Sequence, residues 1–244
     1  DSTGDWSSDV CSSDLGQVLW DLYGLRLGEK IGVFEIMDHG CDREKLDRRT
    51  AMSLVEHVVL LANRKSMKDL LRDELRSTIE SMQQVLGAAK TNAQTSHNLR
   101  NITEYLKLSI SPLRLNKALK GMEYIDTLPV NTAESGLAEK GWYFLLGMIS
   151  LSKFRSQKRT QAGATDDLKV AASFFRLQLQ FTAEHWETWY RLAQCFDSEL
   201  EEDVMWSTDK LNGDQAPLIS EQRSAIHCYR SEEHTSELQS PVLS

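Results

Sequence analysis

The stretch Trp189-Tyr190-Arg191-Leu192-Ala193-Gln194-Cys195-Phe196 decides the fold. A large aromatic, a Leu three residues on, a small residue next and an aromatic three further all fall on one helical stripe. Ala193 is the informative position. Two antiparallel helices approach closely only where one offers Ala or Gly at the contact, with aromatics filling the space above and below. A weaker copy lies upstream: Tyr143, then Leu146 and Gly147, then Ser150 where the second aromatic would stand. Each copy is followed, after an interruption, by a second helix with Ala and an aromatic four residues apart, Ala171 to Phe175 and Ala225 to Tyr229. The pattern predicts an all-α chain of tetratricopeptide-like helical hairpins, a piece of α-solenoid. Repeats of this kind bind proteins rather than transform small molecules.

Working outward, both ends read differently from this core. The run Arg230 to Ser240 is what one strand of a common short-read sequencing adaptor encodes, and the run Asp5 to Leu15 is what its reverse complement encodes. Residues 1–15 and 230–244 are therefore set apart as adaptor-derived and excluded from fold reasoning. A secretory or linker peptide does not fit the first run, which has acidic residues and no apolar stretch. Removing both ends takes away seven acidic residues (Asp1, Asp5, Asp9, Asp14, Glu232, Glu233, Glu237) and one basic residue (Arg230), so the net charge moves from −8 to −2. A near-neutral remainder gives no licence for bulk electrostatic binding to DNA or to basic histones.

Residues 16–229 are enough to bury one domain or a short stretch of solenoid. Cys41, Cys195 and Cys228 remain there, an odd number without close pairing, which favours a reducing compartment over a disulfide framework. No apolar run approaches the roughly 18 residues of a membrane span. The chain is expected to be a piece of a much longer one, with a helical region over 16–136 and two hairpins with long insertions over 137–229, the second truncated.

Apolar periodicity places the helices. Gln17 to Leu27 reads as a helix tail closed by Gly28 and Gly32. Glu44 to Asn63 reads as a helix with Asp42 as N-cap, and Lys65 to Gly87 as one stripe through Met67, Leu71, Leu75, Ile79, Met82 and Leu86. Ala88 to Ser96 reads as loop, Asn98 to Ile110 as an amphipathic helix, and Pro112 starts a short helix ending by Gly121. Leu137 to Phe154 and Asp166 to Phe181 form the first hairpin, with Thr165 as N-cap of its second helix. The aromatic starts Tyr143 and Trp189 stand 46 residues apart rather than the usual ~34, because Ser152 to Ala164 is an insertion. A longer insertion, Ser198 to Ser220, precedes the last helix, Glu221 to Tyr229.

No catalytic, cofactor-binding or metal-ligating residue is assigned. His39, Cys41 and His57 lack the spacing of a zinc ribbon or finger, and His227-Cys228 is equally unsupported. Cys195 lies inside the packing stripe and is expected to be core. Lys153, Arg155, Lys158 and Arg159 make a small basic cluster that could touch phosphates, though a solvated linker is favoured. Glu199, Glu201, Glu202 and Asp203 form the opposite patch in the second insertion, again read as a solvated loop. Trp206 is expected to pack back onto its own hairpin rather than to anchor a partner.

With these residues in view, the chain resembles the fungal histone transcription regulator 3 family, related to the animal calcineurin-binding protein cabin-1. The resemblance rests on Leu22 to Gly28 (LYGLRLG), Asp38 to Ala51 (DHGCDREKLDRRTA), and Trp189 to Asn212 (WYRLAQCFDSELEEDVMWSTDKLN) closing on Arg223 to Tyr229 (RSAIHCY). The insertion carrying Trp206, in its place before the Ile-His-Cys-Tyr helix, is the more specific part. The resemblance implies a non-catalytic scaffold subunit of the nuclear HIR histone chaperone complex, which deposits histones independently of replication and represses histone genes. It implies as partners the WD-repeat and ubinuclein-like subunits and, indirectly, histones. No small-molecule substrate, cofactor, membrane or direct DNA contact is expected. The rivals are a generic tetratricopeptide-type adaptor outside chromatin and an all-α enzyme with a pocket gathering His39, Cys41 and His57.

Overall fold

The computed structural model describes residues 6–28, 36–120, 124–157, 164–206 and 215–239, and among them every regular element is a helix. The helices are α1 (Trp6–Tyr23), α2 (Arg48–Asn63), α3 (Met67–Leu70), α4 (Leu75–Leu86), α5 (Ala93–Lys107), α6 (Pro112–Leu119), α7 (Ala133–Glu139), α8 (Trp142–Ser156), α9 (Ala164–Phe181), α10 (Trp186–Trp206) and α11 (Ala216–Gln239). The run Arg230 to Gln239, assigned above to an adaptor, continues α11, and Trp6 to Leu15 lies in α1. Two compact units divide the chain, residues 1–89 and 90–244.

In the first unit α2 packs against α4, and their buried stripes (Val55, Val58 and Ala62; Leu75, Ile79 and Met82) supply the core. The segment after α1 is pinned to α4: the Arg26 amide donates to Thr78 Oγ1 at 2.9 Å, and the Thr78 hydroxyl donates to the Arg26 carbonyl at 2.6 Å. Gly28 (φ 69°) sits so close to Asp73 that a Cβ there would lie 1.8 Å from its Oδ1. Lys65 clamps the same point, bonding the Gly28 carbonyl at 3.0 Å and the Asp73 carboxylate at 2.8 Å. Trp20 is flanked by two guanidiniums, Arg26 at 4.3 Å and Arg43 at 4.2 Å from its ring. The LYGLRLG and DHGCDREKLDRRTA blocks thus meet around one tryptophan.

Several boundaries differ from the sequence reading, each for a local reason. Helix α1 stops at Tyr23, before Gly24 (φ 69°), rather than at Gly28. Asp47, not Asp42, caps α2 by accepting from the Thr50 amide, while Glu44 lies ahead of the helix with its amide bonded to the Leu22 carbonyl at 2.7 Å. The stripe from Lys65 to Gly87 is two helices: Asp73 Oδ1 accepts from the Leu75 amide at 2.9 Å and restarts the chain as α4, which ends at Gly87 as expected. Helix α5 begins earlier, at an Asn92–Thr95 capping box, and stops at Lys107. Leu137 to Phe154 is interrupted by Gly141 (φ 77°), which takes the left-handed turn between α7 and α8. Helix α9 starts at Ala164, so Thr165 falls in its first turn, ahead of Asp166 and Asp167, rather than capping it. Most of the second insertion is helical too: Ser198 to Trp206 continue α10 without a break, and α11 opens at Ala216, ahead of Glu221. Gly32, Gly121 and Ser207 to Asp214 lie outside the described residues.

In the second unit α8 packs on α9, α10 on α9 and α11, and α5 on α9 and α11. Helices α8 and α9 are antiparallel: the Phe144 amide meets Gln178 at 3.2 Å, Tyr143 stacks on Phe181 at 5.9 Å, and Gln157 bonds Asp167 at 2.6 Å. Helices α8 and α10, by contrast, run in the same direction, with Phe144 beside His185 at one end and Arg155 bonded to Gln194 at the other. That is the neighbour relation between first helices of successive hairpins, and it is compatible with a tetratricopeptide-like solenoid. Helix α8 is buried nearly all round, from Trp142 to Phe154, which makes it the central helix of this unit.

Candidate protein-interaction site

The packing that holds the hairpins starts at Gly147. A Cβ there would lie 2.6 Å from the ring of Phe175, so α8 and α9 touch through a bare backbone position. Ala171, Ala193 and Ala225 are buried in one cluster with Phe175, Trp189 and Phe196. The small residues singled out in the sequence are where the helices meet. The Trp189 indole N–H donates to the Ala183 carbonyl at 2.7 Å, so burial of its ring leaves no donor stranded.

Three buried polar residues that the sequence did not single out fix the surroundings. Gln178 accepts from the Phe144 amide and donates to the Ala138 carbonyl and Thr182 Oγ1, both at 2.8 Å. It supplies from α9 the cap that Gly141 has no side chain to give α8. Asn98 on α5 donates to the Leu128 and Gln180 carbonyls, both at 2.8 Å, and accepts from the Leu128 amide at 2.7 Å. Tyr105, also on α5, stands edge-on to Trp189 with centroids 6.3 Å apart, and lies 4.9 Å from the His227 ring. His227 Nε2–H donates to the Leu108 carbonyl at 2.8 Å. Helix α5 therefore bolts the second helices of both hairpins together, and His227 is part of the bolt.

The chemistry-bearing candidates are dispersed. His39 is exposed and bonds Asp21 at 2.8 Å, which holds that carboxyl below its ordinary range. Cys41 is exposed, and His57 lies half-buried on α2. No three His, Cys, Asp or Glu side chains gather as a metal site among the described residues. Cys195 is core, and burial pushes its thiol up to about 12; burial raises Cys228 as well. Both stay protonated and poorly nucleophilic at neutral pH. Tyr229 is raised chiefly by burial and then by its hydrogen bond to Asp197. His185 is lowered by burial, partly opposed by Glu187; its Nδ1 accepts from the Thr188 amide at 3.2 Å at the start of α10.

The two charged patches also moved. Lys153 and Arg155 belong to the last turn of α8, where cations suit the helix dipole. Lys158 and Arg159 lie outside the described residues. Glu199, Glu201, Glu202 and Asp203 are on α10 rather than a loop, and Glu202 is buried. The backbone of Trp206 ends α10, and its side chain lies outside the described residues.

Comparison with known proteins gives this bundle a family. The model of the HIR3 helical bundle domain matches residues 65–235, more than half of the chain. The chain belongs to the HIR3 helical bundle family. A histone transcription regulator 3 homolog of Chaetomium globosum is 54% identical over 218 residues, covering 88% of this chain and 11% of the relative. Another, of Aspergillus fumigatus, is 46% identical over 223 residues, 91% of this chain and 11% of its own length. A third, of Yarrowia lipolytica, is 27% identical over 223 residues, 88% of this chain and 11% of the relative. The HIR3 bundle chain thus spans about a tenth of the length of the curated relatives it matches.

Proposed function

We propose that this HIR3 bundle segment is a non-catalytic scaffold, part of a subunit of a nuclear HIR-type histone chaperone complex that assembles nucleosomes outside replication and regulates histone genes. The observation that carries the reading is the extended likeness to relatives bearing the histone transcription regulator 3 name. The internal chemistry supports it: Cys195, Cys228 and His227 are spent on packing. Its partners are the WD-repeat and ubinuclein-like subunits, and histones through them. The segment works by presenting packed helices whose outer faces bury partner segments, holding subunits in register. Residues 1–15 and 230–244 are adaptor-derived and take no part in recognition.

The test is a pull-down of the tagged whole protein from nuclear extract, probed for the WD-repeat and ubinuclein-like subunits. Both are expected to enrich well above an unrelated helical-repeat protein, and the intact protein is expected in the nucleus. Exclusion from the nucleus would favour a general adaptor instead.

A further inference from the structure

We propose that the face shared by α8 and α10 is a docking groove for an extended peptide segment carrying a carboxylate beside an apolar side chain. The inference rests on the scaffold reading and gives it a face and a partner chemistry. Along α8 one stripe carries Phe144, Met148 and Arg155; along α10 the facing stripe carries Glu187, Arg191 and Gln194. The two stripes run in the same direction and are joined at both ends, by Phe144 against His185 at 5.2 Å and by Arg155 to Gln194 at 2.9 Å. Phe144 and Met148 are half-buried and packed against the core, so part of each side chain stays accessible.

The arginine end is the informative one. Arg155 and Arg191 both donate to a single neutral oxygen, Gln194 Oε1, at 2.9 and 3.2 Å. The two donor nitrogens are therefore no more than 6.1 Å apart. Like charges that close repel, and a neutral amide offsets little of it. Arg191 has one carboxylate partner, Glu187 at 3.0 Å. Arg155 is exposed and has no carboxylate partner among the described residues. The array is a pair of guanidiniums held in place by a neutral bridge, short of one anion. A planar carboxylate fits it, since guanidinium forks bind carboxylates through paired hydrogen bonds. Phe144 and Met148 provide the apolar half that a phosphodiester backbone would leave unused, and Glu187 at the groove edge disfavours a polyanion.

The test is fluorescence anisotropy with the whole 244-residue chain and a short dye-labelled peptide of alternating Glu and Leu. Saturable binding weakened by salt is expected, together with a loss of about tenfold or more for Arg155→Ala, the worth of a hydrogen bond to a charged group. Arg155→Lys is expected to recover only part of it, since an ammonium lacks the fork. Arg155 is exposed, so neither variant threatens the fold; circular dichroism checks this. No binding, binding unchanged in Arg155→Ala, or equal binding of a Lys-Leu peptide or duplex DNA would overturn the proposal. Peptide failure with the subunit pull-down intact removes the groove alone; the converse removes the scaffold reading alone.

Discussion

Gly147 and Phe175 set how near α8 and α9 can lie. Adding the single methyl of Gly147→Ala places it 2.6 Å from an aromatic carbon inside a packed core. The helices must separate or the ring must leave its rotamer, at about 1–3 kcal/mol. Thermal unfolding is expected to show a fall of roughly 2–4 °C per kcal/mol; an unchanged midpoint would mean the contact is slack. His185 gives a second prediction, in pH. Burial holds its folded pKa below the ordinary value, so the unfolded chain takes up the proton first. Stability from this group is therefore complete above about pH 6.5 and is lost as pH falls below it. Protonation also removes the Nδ1 acceptor that caps the Thr188 amide. Denaturant midpoints from pH 8 to 5.5 should fall more steeply in the native chain than in His185→Gln; equal slopes would refute the assignment.

At the scale of elements, α5 makes the second unit a bundle rather than a bare stack of hairpins. Besides the apolar Ile102 and Leu106, it is anchored inward by Asn98 and Tyr105. Asn98→Ala would strand the Gln180 carbonyl, whose bond to Asn98 is buried, at roughly 1–3 kcal/mol, and would free the exposed Leu128 amide and carbonyl to solvent at smaller cost. Tyr105→Ala is expected to cost about 3–5 kcal/mol by analogy with other buried aromatics. Hydrogen exchange should then show α10 and α11 losing protection along with α5, because Tyr105 touches Trp189 and His227 together. Loss confined to α5 would show that it merely lies on the hairpins.

Helix type and the close contacts at Gly147 and Ala193 were legible in the sequence because both follow from periodicity and residue size. The boundaries were not, since they depend on which of several polar residues wins as a cap, as Asp47 does over Asp42. Nor could Asn98 or Gln178 be read. An amide in a helical pattern looks like surface until partners as distant as 82 residues along the chain are known. The groove was half legible. Arg155 stood out as part of a basic cluster, but its approach to Gln194 needs the two first helices side by side.

For the whole molecule, the HIR3 bundle family supports the proposed scaffold role, and composition does not oppose it. The net charge of −8 falls mostly on the terminal runs, so attraction to nucleic acid by charge alone is not on offer. Among the described residues no helix is long and apolar enough to cross a membrane. What the second unit offers is a central helix packed on nearly every side, and beside it a face with Phe144 and Met148 toward one end and Arg155 and Arg191 toward the other. The most direct measurement compares the tagged whole protein with its Gly147→Leu variant in a quantitative pull-down of the other complex subunits. Close-packed hairpins as the working scaffold predict strong enrichment by the native protein and a loss of several-fold or more in the variant at equal expression. Equal enrichment by both, or none by the native protein above an unrelated repeat protein, would contradict the account.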